Sequence, residues 1–130
     1  MSNAVNILKR MLGLKIRKSV RHKAKNGTFV VMENSVARNP IANISMTGLS
    51  FNYEDAGYAV GKNAGSMRIV AGSKLIVSNI PFKKIADESV GEVLYPYRKI
   101  KRVSVQFGKL TGMQKVKLRQ FIRQYTSGKA

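Results

Sequence analysis

Two short groups of residues could do chemistry in this chain. The first is Arg17-Lys18-Ser19-Val20-Arg21, two arginines four apart in a run without an acid. An arginine offers a planar, permanently charged fork that fits a phosphate or the edge of a guanine. The second is Asn43-Ile44-Ser45-Met46-Thr47-Gly48. Side chains alternate along a strand, so Asn43 and Ser45 are expected on one face. Both form short, directional hydrogen bonds, and Gly48 permits a turn or a close backbone approach. A basic arm with paired arginines beside a polar strand face is chemistry for gripping an anionic nucleotide.

Other chemistries find little support. The one histidine, His22, sits in a basic run. Neighbouring cations disfavour its protonation, and no carboxylate is close in sequence to orient it as a base. Asp87 and Glu88 are adjacent and would face opposite ways on a strand. The chain has no cysteine, which excludes disulfides, a thiol nucleophile and thiolate metal sites. No spacing resembles a metal site, and Gly61-Lys62-Asn63-Ala64-Gly65 reads as a turn and not a phosphate loop. No catalytic residue, metal or cofactor is expected, and the chain is not expected to be an enzyme.

Charge narrows the partners. Lys and Arg total 24 against 6 Asp and Glu, a formal net charge of +18. All the acids lie between residues 33 and 92, so the excess is at both ends. Such a field attracts polyanions: nucleic acid, an acidic membrane or a phosphate-rich small ligand. No apolar run approaches the roughly 20 residues of a membrane-spanning helix, and the start lacks a secretory pattern, so a cytoplasmic location is expected.

The elements that must position these residues follow from periodicity. At 130 residues and 44% hydrophobic, the chain suits one folded domain. Apolar residues at 4, 5, 7, 8, 11, 12 and 14 predict a short amphipathic helix. Residues 15–27 are basic and end in Asn-Gly, which predicts an arm or loop. Strands are then expected over Thr28–Met32, Val36–Ser45 (with Pro40 at an edge or bulge) and Gly48–Tyr53. Glu54–Ser66 reads as a loop. Further strands are expected over Met67–Val70, over Ser73–Ile80 with Pro81 ending it, and over Gly91–Arg98 and Arg102–Phe107. From Thr111, a candidate N-cap, Met113, Leu118, Phe121, Ile122 and Tyr125 share one side of a helix that Ser127-Gly128 stops. The expected organisation is a helix or arm over 1–14, one domain over 15–126 with its C-terminal helix at 111–126, and a tail over 127–130. Many short strands with turn signals suggest a small antiparallel barrel.

In this strand context, Arg17-x-x-x-Arg21 followed by Asn43-x-Ser45-x-x-Gly48 resembles the signature of the PilZ domain family. Gly91-Glu92-Val93-Leu94-Tyr95 resembles that family's penultimate strand, and Val103–Phe107 its last, with a helix following. The resemblance covers roughly residues 15–125. It implies a six-stranded antiparallel barrel that binds cyclic di-GMP, a bacterial second messenger. Arg17 and Arg21 would then hold phosphates and guanine, Asn43 and Ser45 would hydrogen-bond one guanine, and Gly48 would shape the turn beneath it. Lys18, Arg10 and the aromatic Tyr95 are additional candidates.

Two departures bear on the ligand. Position 43 is Asn where many members have Asp, so one acceptor oxygen and the charge are missing. Ile16 stands where many members carry an extra arginine, and one cation fewer favours a single ligand per chain. Cation repulsion over residues 9–23 predicts an arm that the ligand's phosphates draw onto the barrel, with a separate protein reading the change. The resemblance leaves that target open among flagellar, pilus, exopolysaccharide and virulence systems. Three other readings stay open: a basic β-barrel that binds nucleic acid, a ligand-independent PilZ-like adaptor, and a peripheral membrane protein using helix 4–14 and the basic ends.

Overall fold

From residue 28 onward the alternating apolar segments fold as strands in the computed structural model, which describes residues 20–55 and 63–130. The expected helix at 4–14, Arg10, Arg17 and Lys18 lie outside the described residues. In chain order the elements are β1 (His22–Ala24), β2 (Thr28–Met32), β3 (Asn39–Ile44), β4 (Gly48–Asp55), β5 (Ala64–Ala71), β6 (Lys74–Leu94), β7 (Tyr97–Phe107), α1 (Gly112–Tyr125) and β8 (Thr126–Lys129).

All strand pairings are antiparallel. Strands run in the order β2-β5-β6-β7-β4-β3, and β2 also pairs with β3, which closes a ring of six strands, the number the resemblance implies. The two short strands lie outside it: β1 beside β3, and β8 beside β1. Closure removes most free sheet edges and leaves an interior that side chains fill. Val30, Ile44, Leu49, Phe51, Ile69 and Val105 meet there with no exposed surface.

Helix α1 closes one end of the ring. Its buried residues are Leu118 and Phe121, with Ile122 and Tyr125 partly covered. Met113, expected on the same stripe, is 64% exposed, because it lies in the first turn before the helix reaches the core. Thr111 is the N-cap, as its sequence position suggested. It accepts from the Gln114 amide at 3.1 Å while the Gln114 side chain accepts from the Thr111 amide at 2.9 Å. Gln114 Nε2 also donates to the carbonyls of Ser78 and Asn79, both at 2.9 Å, so the cap is tied to β6. Thr111→Ala removes one acceptor of this box. It should cost about 1 kcal/mol and lower the melting temperature by about 3–5 °C, read by thermal circular dichroism.

Several expectations are corrected. Pro81 does not end a strand: β6 runs through it for 21 residues. The Pro81 carbonyl accepts from Gly108, just past the end of β7, at 2.7 Å. The proline's missing N–H falls on this same edge, just past the last residue of β7. Residues 91–98 are not one strand, because the chain reverses at Tyr95-Pro96 and Leu94 pairs with Tyr97. The loop expected over residues 54–66 is shorter, because β4 extends to Asp55 and β5 starts at Ala64. The arm expected over 15–27 contains β1, and the tail expected over 127–130 contains most of β8. Neither short strand has apolar alternation; each exists because its neighbour offers a backbone edge.

Candidate nucleotide-binding face

Two of the motif residues meet on the outside of the ring. β1 pairs with β3 so that Lys23 stands opposite Asn43, which brings Arg21 over the end of β3. The Arg21 Nη1 donates to Asn43 Oδ1 at 2.8 Å and to Ser50 Oγ at 3.4 Å. Ser50 and Ser104 share a hydrogen bond at 2.8 Å across β4 and β7. Asn43, Ser50 and Ser104 therefore form one row across three strands. Their sequence neighbours Ile44, Leu49, Phe51, Val103 and Val105 are buried in the core, so alternation sends these three outward.

A kink in β3 makes this possible. Ile41 and Ile44 are both buried although three residues apart, because a bulge between Ile41 and Asn43 resets the alternation. Arg21 holds the Asn43 amide by its oxygen, which leaves Nδ2 as a donor. Donors suit phosphate oxygens and the O6/N7 edge of guanine. An aspartate at 43 would offset the guanidinium charge; asparagine does not.

Ser45 does not share a face with Asn43, and Gly48 stands at the turn that follows. β3 ends at Ile44, and Ser45 is 1% exposed in the turn that follows. Its amide donates to the Gly48 carbonyl at 2.8 Å, and its hydroxyl accepts from the Thr47 amide at 3.1 Å. These bonds fix the β3–β4 turn. A Cβ on Gly48 would lie 2.3 Å from the Val105 carbonyl oxygen, so only glycine lets β4 approach β7 there.

Tyr95 is not on a strand. It occupies the β6–β7 turn, 92% exposed. From Ser104 to the Tyr97 end of β7 the strand runs about 23 Å at its usual rise. That separates Tyr95 from the row at Asn43.

Polar residues not singled out beforehand extend the face. Arg102 Nε donates to Asn52 Oδ1 at 3.0 Å in the next row, and Arg98 Nη1 reaches diagonally to Glu54 Oε2 at 2.6 Å in the row after. The alternation in Leu49-Ser50-Phe51-Asn52 and Arg102-Val103-Ser104-Val105 was the signal: its polar members were bound to face away from the core. A cleft of about 800 Å³ opens beside Asn52 and Glu54, walled by Met32, Pro40 and Ile100.

On the opposite face of β6 and β7, Asp87 accepts from Lys101 at 3.1 Å, Lys84 at 3.4 Å and the Tyr53 hydroxyl at 3.4 Å. Partial desolvation raises the pKa of its carboxyl, but the hydrogen bonds and charges of Lys101 and Lys84 outweigh that and hold it below the ordinary 3.8. A carboxyl depressed on folding contributes stability that is present above its unfolded pKa and lost as pH falls through the folded one. The wild type should therefore lose more stability below about pH 4 than Asp87→Asn does, with the gap between their urea midpoints closing towards pH 2.

Comparisons with known proteins fit this architecture. No protein-family model matches the sequence, and no curated protein matches it either. Solved structures do. The PilZ domain of YcgR from Escherichia coli, determined with c-di-GMP, is 16% identical, with a TM-score of 0.65 over 84% of this chain and 90% of that one. The Legionella uncharacterized protein Lpg0364 is 13% identical, with a TM-score of 0.54 over 80% of this chain and 90% of that one. The chain thus has a PilZ-like fold, an antiparallel strand ring with a helix after its last ring strand. Among the described residues no helix is long and apolar enough to cross a membrane.

Proposed function

We propose that this protein is a cyclic di-GMP receptor. The dinucleotide lies on the outer face of the ring, held by Arg21 and Asn43 with Arg17 from the preceding arm. Lys18 and Arg10 are further cations for the ligand's phosphates. Ser45 and Gly48 act through the turn that sets the height and angle of Asn43. The observation that carries the reading is the 2.8 Å bond from Arg21 to Asn43. It joins the two motifs, 22 residues apart, into one surface. The likeness of the fold to a PilZ domain solved with c-di-GMP supports the same ligand. The protein works in the cytoplasm. It passes the signal on when the phosphates draw the arm onto the ring and present a changed surface to a protein target.

Isothermal titration of cyclic di-GMP at about 150 mM salt, which suppresses loose ion pairing, tests this. Saturable binding of about one dinucleotide per chain is expected. A stoichiometry near two would overturn the single-ligand reading. No binding, together with affinity for single- or double-stranded nucleic acid that falls steeply with salt, would transfer the basic face to a nucleic-acid partner.

A further inference from the structure

The outer face does not stop at Arg21 and Asn43. Along β4 and β7 the rows continue from Ser50 and Ser104 to Asn52 and Arg102, then to Glu54 and Ile100. Successive rows on one face are about 7 Å apart. Arg102 thus stands between the Arg21–Asn43 pair and the cleft of about 800 Å³ that Asn52, Glu54 and Ile100 border. That volume lies within the range of small-ligand pockets, roughly 300–1,000 Å³. Its apolar walls, Met32, Pro40 and Ile100, suit the face of an aromatic base.

The polar groups are posed for a nucleotide. Arg102 commits its Nε to Asn52, which fixes the plane of the guanidinium and leaves its Nη atoms for a phosphate. Glu54 is held by Arg98 through Oε2, and Oε1 remains to accept. The other basic group at the cleft, Arg38, is turned aside: it donates to the Gly72 carbonyl at 2.6 Å and lies over the Phe29 ring. Glu33 also borders the cleft, but Glu54 is the carboxylate held in place, and a fixed carboxylate accepts from adjacent N–H donors. Guanine offers N1–H and N2–H together on one edge, whereas adenine offers an acceptor at N1.

We infer that this cleft is a second base site, resting on the receptor reading above. One guanine sits at Arg21 and Asn43, Arg102 takes a phosphate, and the second guanine enters the cleft, where Glu54 reads its N1–H and N2–H edge. Specificity for two guanines then comes from a carboxylate outside both sequence motifs.

The test compares cyclic di-GMP with the mixed cyclic dinucleotide in which adenine replaces one guanine, titrated into the wild type, Glu54→Gln and Arg102→Ala. Thermal melting of each variant checks folding. The wild type should bind the mixed ligand about tenfold more weakly or worse, the scale of one misread base contact. Glu54→Gln, whose amide can pair with adenine as well as guanine, should shrink that gap to about threefold or less. Arg102→Ala should weaken both ligands about tenfold and keep the gap. Ile100→Trp, which fills the cleft and leaves the Arg98–Glu54 pair in place, should also abolish the preference. The inference is overturned by a wild type that takes both ligands equally, by a preference that survives Glu54→Gln and Ile100→Trp, or by Arg102→Ala binding as the wild type does. A wild type that binds neither ligand overturns the receptor reading itself, and this one with it.

Discussion

Gly48→Ala should unfold the protein or leave it only marginally folded. The added Cβ would stand 2.3 Å from the Val105 carbonyl oxygen and 3.3 Å from its carbon. Both are backbone atoms in a strand of the closed ring, so no side chain can swing aside. Either β4 parts from β7 at the Gly48–Gln106 pair, or the β3–β4 turn moves and drops the Ser45–Gly48 bond. Each route disturbs Leu49 and Val105, which have no exposed surface. A loss of about 4 kcal/mol or more is expected, at the upper end of single substitutions. In a domain whose whole stability is about 5–15 kcal/mol, that should appear as loss of soluble expression or a melting temperature lower by about 12 °C or more. A Gly48→Ala variant that melts like the wild type would show that β4 and β7 are not this close.

Arg21→Ala should do the opposite: leave the fold nearly intact and remove the ligand. Arg21 is half-buried, and the core does not include it. Its loss removes a charged donor to Asn43 and Ser50, and the Ser50–Ser104 bond survives without it. Cyclic di-GMP affinity should fall about 100-fold or more, which corresponds to about 2.7 kcal/mol and to the upper range for hydrogen bonds to charged groups. Arg21→Lys is the informative companion. It keeps the charge but loses the planar fork, so about a tenfold loss is expected. If alanine and lysine weaken binding equally, the fork matters and the charge does not. If lysine restores full affinity, Arg21 serves as a point charge.

The junction of the two motifs was legible because it needs only a basic arm and a strand to run side by side. The ring was legible through the alternation around Leu49, Phe51, Val103 and Val105. What was hidden depends on events between strands. Ser45 reads as an outward polar residue by simple alternation, but a bulge before Asn43 and the end of β3 at Ile44 place it in a turn with its hydroxyl buried. Pro81 reads as a terminator because proline has no N–H for a ladder; that its position falls at the end of β7, past Phe107, depends on a register no sequence shows. β1 and β8 carry no periodic signal, since their partners and not their side chains define them. Arg102, Asn52 and Glu54 lie on predicted or extended strands, but which polar residues share a face across the ring depends on register.

The three-residue strand β1 ties two distant parts of the chain together. Its one edge holds β3 and the Asn43 row; its other edge holds β8, and the Arg21 carbonyl accepts from the Ala130 amide at 2.9 Å. The seat of Arg21 is therefore set by which segment lies on that edge. A partner segment that displaced β8 and zipped onto β1 would re-aim the guanidinium without touching the ligand face. By the reciprocity of linked equilibria, a ligand that locks Arg21 in place would alter how readily that edge is traded.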